Sequence, residues 1–159
     1  MTTNSFADAW HRRFGLLLAL TGALAAALLL ASCGGSGKEV KVEVGDSGDE
    51  VTGDMFLRVQ KDSVTAGRVT IVGINMGMFE HEIVVLYTDL AAGSLVLDAG
   101  GQTVDEGASG VILGEIEPDD LGFGKEVSAT FELPAGNYVL FCNVPGHYLN
   151  GSYAALKVK

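Results

Sequence analysis

From Glu126 to Leu133 the chain alternates without a fault. Val127, Ala129, Phe131 and Leu133 share one face, and Glu126, Ser128, Thr130 and Glu132 share the other. A period of two belongs to a half-buried β-strand, whereas a surface helix needs apolar residues three and four apart. Other stretches read the same way. Met55 to Gln60 and Arg68 to Asn75 are two strands linked by a turn through Ala66-Gly67. His81 to Tyr87 is β-branched and apolar on both faces, as a central strand should be. Val111 to Glu117 is a weaker strand. Asn137 to Cys142 follows the turn Pro134-Ala135-Gly136, and Tyr153 to Val158 closes the chain. Twenty-two glycines against three prolines suit many turns between short strands. The expected fold is all-β, a β-sandwich of about seven to eight strands. The Gly-rich nucleotide-binding motifs of helix-containing α/β folds are absent. Between Thr88 and Gly124 the alternation fails, leaving a long excursion whose purpose the sequence does not give.

The N-terminus follows another logic. Arg12-Arg13 precedes eighteen uncharged residues, Phe14 to Ala31, and the run ends in Leu30-Ala31-Ser32-Cys33. A basic start, an apolar stretch and small residues at the end make a secretory signal. The last four residues resemble a bacterial lipobox, which implies that Cys33 becomes the diacylglyceryl-bearing first residue. Two readings stay open beside it: a single membrane-spanning anchor, and a cleaved signal followed by a free Cys33. All three put the rest of the chain outside the cytoplasm. The expected division is a signal peptide over 1–32, a lipidated Cys with a Gly/Ser/acidic linker over 33–53, and a folded domain over 54–159. Within the linker Val40, Val42 and Val44 alternate with Lys41 and Glu43. That pattern allows a first strand or a solvated tether.

Charge narrows the function. The whole chain carries −10, and the part from Cys33 onward has eight basic against nineteen acidic residues. Such a surface repels a phosphate backbone, so nucleic-acid binding is not expected. An acidic face would instead steer a basic partner protein. Glu115, Glu117, Asp119 and Asp120 match no calcium-loop spacing and read as a solvated acidic loop.

Past residue 32 the chain has two histidines, His81 and His147, and one cysteine besides Cys33, Cys142. Cys142 ends a strand. Asn143 to Gly146 form a tight loop, and His147 follows five positions after the cysteine. His81 starts another strand. One thiolate and two imidazoles from strand ends form a trigonal His₂Cys set, the equatorial plane of a blue-copper centre. The domain spends its thiol and both imidazoles on this one place.

The motifs Asn75-x-Gly77-x₃-His81-Glu82 and Gly136-x-Tyr138-x₃-Cys142-Asn-x-Pro-Gly-His147-Tyr-x₂-Gly151 make residues 54–159 resemble a cupredoxin, of the small bacterial copper-binding lipoprotein type. The resemblance implies a Greek-key sandwich and one copper ion, Cu(I) or Cu(II), held by His81, Cys142 and His147. It implies single-electron transfer by a membrane-tethered monomer with an unknown redox partner. It also exposes a departure. Relatives with this loop usually end it in Gly-Met, the Met being the weak axial ligand, but Ser152 follows Gly151 here. Met78 or Met76 could offer a substitute thioether, although both read first as loop or core apolar residues, and the carbonyl of Glu80 is a second candidate on the opposite side. Asn75 is expected to tie the ligand loop, Glu82 to be a hydrogen-bonded or outward strand residue, and Tyr148 to be packing. Copper storage or delivery, and a metal-free interaction module, are the alternative functions. An enzyme is not expected, because two histidines cannot build a trinuclear copper cluster and no hydrolase motif is present.

Overall fold

The computed structural model describes residues 38–47 and 53–159, which fall within one compact unit, Ser36–Lys159. Among the described residues nine strands form two facing sheets. The first contains β1 (Lys38–Ser47), β2 (Asp54–Val59), β4 (Gly67–Asn75) and β7 (Glu126–Leu133), in the order β2-β1-β4-β7. The second contains β3 (Ser63–Val64), β5 (Ile83–Tyr87), β6 (Val111–Ile116), β8 (Gly136–Phe141) and β9 (Tyr153–Val158), in the order β3-β9-β8-β5-β6. β1 runs parallel to β4, and β3 runs parallel to β9; every other pair is antiparallel.

The expected all-β sandwich is therefore present, with two adjustments. β5 begins at Ile83, so His81 sits at the end of the preceding loop rather than on the strand. More important, the linker assigned to 33–53 does not hold over Lys38–Ser47. That stretch is β1, paired on both sides between β2 and β4. The folded domain thus starts well before residue 54. The reason is the valine alternation: Val40, Val42 and Val44 are fully buried while Lys41 and Glu43 face water. The stretch read as a signal peptide and Cys33 lie outside the described residues.

The core fills the space between the sheets. Val42, Val44, Val69 and Ile71 from one sheet meet Val85, Leu140 and Leu156 from the other. A second cluster covers the opposite face of the second sheet. Val84, Leu86, Val139 and Phe141 pack there against Leu95, Val104 and Tyr148. This explains why β5 is apolar on both faces. It also gives the Thr88–Gly110 stretch a task, since Leu95 and Val104 from that stretch keep the outer face of β5 and β8 dry. The stretch holds a short 3₁₀ turn (Ala92–Ser94) and a one-turn helix, α1 (Glu106–Ser109), capped by Asp105, whose side chain accepts from Ala108 N–H.

Each buried valine of β1 contributes about 1.5 kcal/mol by burial, and β1 also supplies the hydrogen-bonding edge for both neighbours. A chain beginning at Ser36 should melt in one cooperative step followed by circular dichroism. A chain beginning at Gly53 should show no such transition, and equal melting temperatures for the two would contradict the placement of β1.

Candidate metal centre

Two loops at one end of the sandwich bring the predicted ligands together. β8 ends at Phe141 and delivers Cys142, whose N–H donates to the Ser152 carbonyl at 3.0 Å. The chain then turns tightly. His147 N–H donates to Val144 at 3.0 Å, and Ser152 N–H donates to His147 at 3.1 Å. Gly146 (φ 84°) and Gly151 (φ 106°) occupy the left-handed region that side-chain-bearing residues avoid. A side chain at Gly151 would also press on the Met55 carbonyl, 2.8 Å away. The second loop runs from the end of β4 to His81. Buried Asn75 ties it as expected: its Nδ2 donates to the carbonyls of Phe79 (2.7 Å) and Leu121 (2.9 Å), and its Oδ1 accepts from Gly77 N–H (2.8 Å).

His81, Cys142 and His147 are each 0% exposed. Their nearest donor atoms all lie within 4.8 Å of one another. His147 Nδ1 is 3.4 Å from Cys142 Sγ and 3.2 Å from His81 Nδ1. Among the described residues His147 Nε2 has no hydrogen-bond partner although it is buried. Two Nδ1 atoms facing each other beside a thiol form an awkward pocket for protein alone, since at most one of the two can donate. A cation at the point where they converge would give every lone pair a partner. The donor set of one sulfur and two imidazoles suits copper.

Electrostatics keep the pocket uncharged in the metal-free protein. Burial pushes the Cys142 thiol up to about 12, against hydrogen bonds from the N–H groups of Glu82 and Val144 and from Ser152 that favour the thiolate. The Glu82 N–H donates to Sγ at 3.4 Å. Burial, reinforced by the charge of His81, pulls His147 down to about 4. Burial also lowers His81, opposed by Asp46. Burial raises the Glu82 carboxyl to about 7; Glu115, Glu106 and Glu117 add to the rise, and a hydrogen bond from the Asn143 backbone opposes it.

The cysteine-histidine loop is also gripped from outside. Asn143 Oδ1 accepts from Val104 N–H at 2.6 Å, and Asn143 Nδ2 donates to the Val104 carbonyl (3.2 Å) and to Glu106 Oε1 (2.9 Å). Gly146 N–H donates to the Gln102 carbonyl at 2.9 Å. Tyr148 is packing, as expected, but packing with a polar handle: its hydroxyl accepts from Leu95 N–H and donates to the Ala92 carbonyl, both at 2.9 Å. The excursion over Thr88–Gly110 is thus a brace for the loop that carries two of the three candidate ligands.

Among the axial candidates, Met78 is 77% exposed and Met76 is 60% exposed, so neither side chain packs onto the buried cluster. Glu80 is exposed as well. Ser152 is fully buried, its hydroxyl 3.5 Å from the Phe56 carbonyl and near enough to the Cys142 thiol to favour the thiolate slightly. Glu115 lies on β6 rather than in a loop, and Glu117 follows the strand; both are exposed. Sequence reasoning missed Asp46, on β1. Its Oδ2 lies 3.3 Å from His81 Nε2 and accepts from Met78 N–H (2.7 Å) and Phe79 N–H (3.2 Å). Asn143 was also missed. The valine alternation ending beside Asp46 was the one signal that could have pointed to it.

Comparison with known proteins places this architecture. No family model matches the chain, and no curated protein matches it. Among solved structures, a Met-to-Gln mutant of rusticyanin is similar over 77% of this chain and 79% of its own, at 21% identity and a TM-score of 0.50. Reduced auracyanin from Roseiflexus castenholzii covers 77% and 99% at 22% identity and a TM-score of 0.49. Rusticyanin from Thiobacillus ferrooxidans covers 77% and 79% at 20% identity and a TM-score of 0.47. The fold is that of the cupredoxins, and within it His81, Cys142 and His147 are gathered closely enough to hold one metal ion.

The raised Glu82 carboxyl gives a signed expectation. Its folded value, about 7, lies above the ordinary 4.5. Its contribution to stability is full below pH 4.5 and is lost as pH rises through 7. Replacing Glu82 with Gln should therefore leave the metal-free protein's stability near wild type at pH 4. At pH 8 it should raise stability by about 2 kcal/mol, less than the full shift implies because solvent screens this part-exposed side chain. Urea titrations of the two proteins at both pH values read this difference, and His147 cancels in the comparison. A variant equally stable or weaker at pH 8 would contradict the assignment.

Proposed function

We propose that this protein binds one copper ion through His81 Nδ1, His147 Nδ1 and Cys142 Sγ and serves as a single-electron carrier outside the cytoplasm, tethered to the membrane by a lipid on Cys33. The observation that carries the copper assignment is the convergence of two imidazole Nδ1 atoms and one thiol in a fully buried pocket. Copper held there supplies one-electron chemistry between Cu(I) and Cu(II). The residues supply the rest. His81 and His147 arrive neutral, ready to donate. Cys142 must lose its proton on binding, and the N–H groups of Glu82 and Val144 are in place to stabilise the thiolate. Burial excludes water. The braces at Asn75, Asn143 and Gly146 hold both loops still, which suits a site that must accept two oxidation states with little movement.

The tether rests on the sequence pattern ending at Cys33. Among the described residues no helix is long and apolar enough to cross a membrane. A partner with a basic face fits the chain's charge of −10. The reading is of a carrier rather than an enzyme. One observation favours copper handling as a second reading: Met76 and Met78 expose two thioethers, soft donors for Cu(I), on the loop leading to His81. Fast electron self-exchange in the loaded protein selects the carrier, and slow exchange selects handling.

Adding Cu(II) should produce an intense visible thiolate-to-copper band with narrow copper hyperfine splitting in electron paramagnetic resonance. Cys142→Ser should abolish that band. Because Cys142 is protonated and both imidazoles are neutral near pH 7.5, binding should release about one proton. Calorimetry in buffers of different ionisation enthalpy reads that number. No colour and no proton release would defeat the proposal.

A further inference from the structure

We propose that Asp46 is a positioning residue for the metal centre: its Oδ2 accepts a hydrogen bond from His81 Nε2–H, so that the Nδ1 lone pair is presented toward Cys142 and His147. The inference rests on the copper reading for its consequences but not for its geometry. Asp46 lies 35 residues from His81, on β1, and its side chain is only 4% exposed. A buried carboxylate needs donors, and one oxygen here serves three. It accepts from Met78 N–H at 2.7 Å and Phe79 N–H at 3.2 Å, and it lies 3.3 Å from His81 Nε2. An ionised carboxylate can only accept, so Nε2 must carry the imidazole proton and Nδ1 must be the free donor atom.

The approach is built in from both sides. A side chain at Gly77 would collide with the Asp46 carboxylate, and one at Gly45 would lie 2.9 Å from Gly77 N and 2.7 Å from the Phe56 ring. Met76 N–H donates to the Val44 carbonyl at 2.8 Å, closing the same contact by backbone. The end of β1 and the ligand loop therefore meet with no room to spare. Carboxylates that hold the far nitrogen of a ligating histidine fix its tautomer and raise its basicity, and losing them costs about 10- to 100-fold in metal affinity. A negative charge one ring away favours Cu(II) over Cu(I). Asp46 should thus hold the reduction potential down.

Two measurements test this. The first uses metal-free protein: nitrogen-15 NMR of the His81 ring should show the proton on Nε2 in wild type and a loss of that preference in Asp46→Ala. A His81 with its proton on Nδ1 in wild type would overturn the proposal. The second uses the copper-loaded protein and Asp46→Asn, which keeps size and shape while removing the charge. Cu(II) affinity should fall about tenfold more than Cu(I) affinity, an upward shift in potential of about 59 mV. An unchanged potential in a folded Asp46→Asn protein would overturn it too. Failure of the copper reading looks different: wild type would take up no copper, while the metal-free tautomer would still decide the role of Asp46.

Discussion

Two neutral imidazoles face each other, Nδ1 to Nδ1, 3.2 Å apart in a pocket that water does not reach. That contact is poor for the protein alone. At most one nitrogen of the pair can hold a proton toward the other, and the far nitrogen of His147 is left without a partner. Folding tolerates the arrangement because everything around it is well satisfied. The arrangement becomes sensible only when a cation takes up both lone pairs and the neighbouring thiolate. Burial that keeps the histidines neutral and the thiol protonated sets the same balance: the metal-free pocket is uncharged, and a metal bound there would take the place of the Cys142 proton.

The rest of the fold can be understood as a frame that keeps these three side chains where they are. β1 brings Asp46 behind His81, and its three valines anchor that strand in the core. Asn75 fastens the His81 loop to the end of β4. On the other side, the Thr88–Gly110 excursion fastens the Cys142–His147 loop through Asn143, Gly146 and Tyr148. Its apolar residues Leu95 and Val104 bury the outer face of β5 and β8. Stability and site rigidity thus share the same contacts, so the loops around the site have little freedom to relax when charge changes.

Much of this was legible in the residues. Strict alternation at Glu126–Leu133 and the apolar run at Ile83–Tyr87 placed two strands, because side-chain period follows directly from strand geometry. His81, Cys142 and His147 were legible as a set because a thiol and two imidazoles had no other evident use, and Pro145-Gly146 marked a turn between two of them. Three features were not legible. β1 sits among Gly, Ser and charged residues, so its short valine alternation competed with a tether reading that only pairing with β2 and β4 decides. The excursion has no period because it grips the loop mostly through backbone carbonyls and N–H groups, which any sequence carries, and buries only scattered side chains such as Leu95 and Val104. Asp46 meets His81 across 35 residues through tertiary approach, which local pattern does not encode.

One copper ion bound by His81, Cys142 and His147 can be seen by X-ray absorption at the copper edge of the loaded wild-type protein. One short copper–sulfur distance and two imidazole nitrogens are expected in the coordination shell, with the sulfur lost in Cys142→Ser. A shell of oxygen and nitrogen alone, unchanged by that substitution, would contradict it.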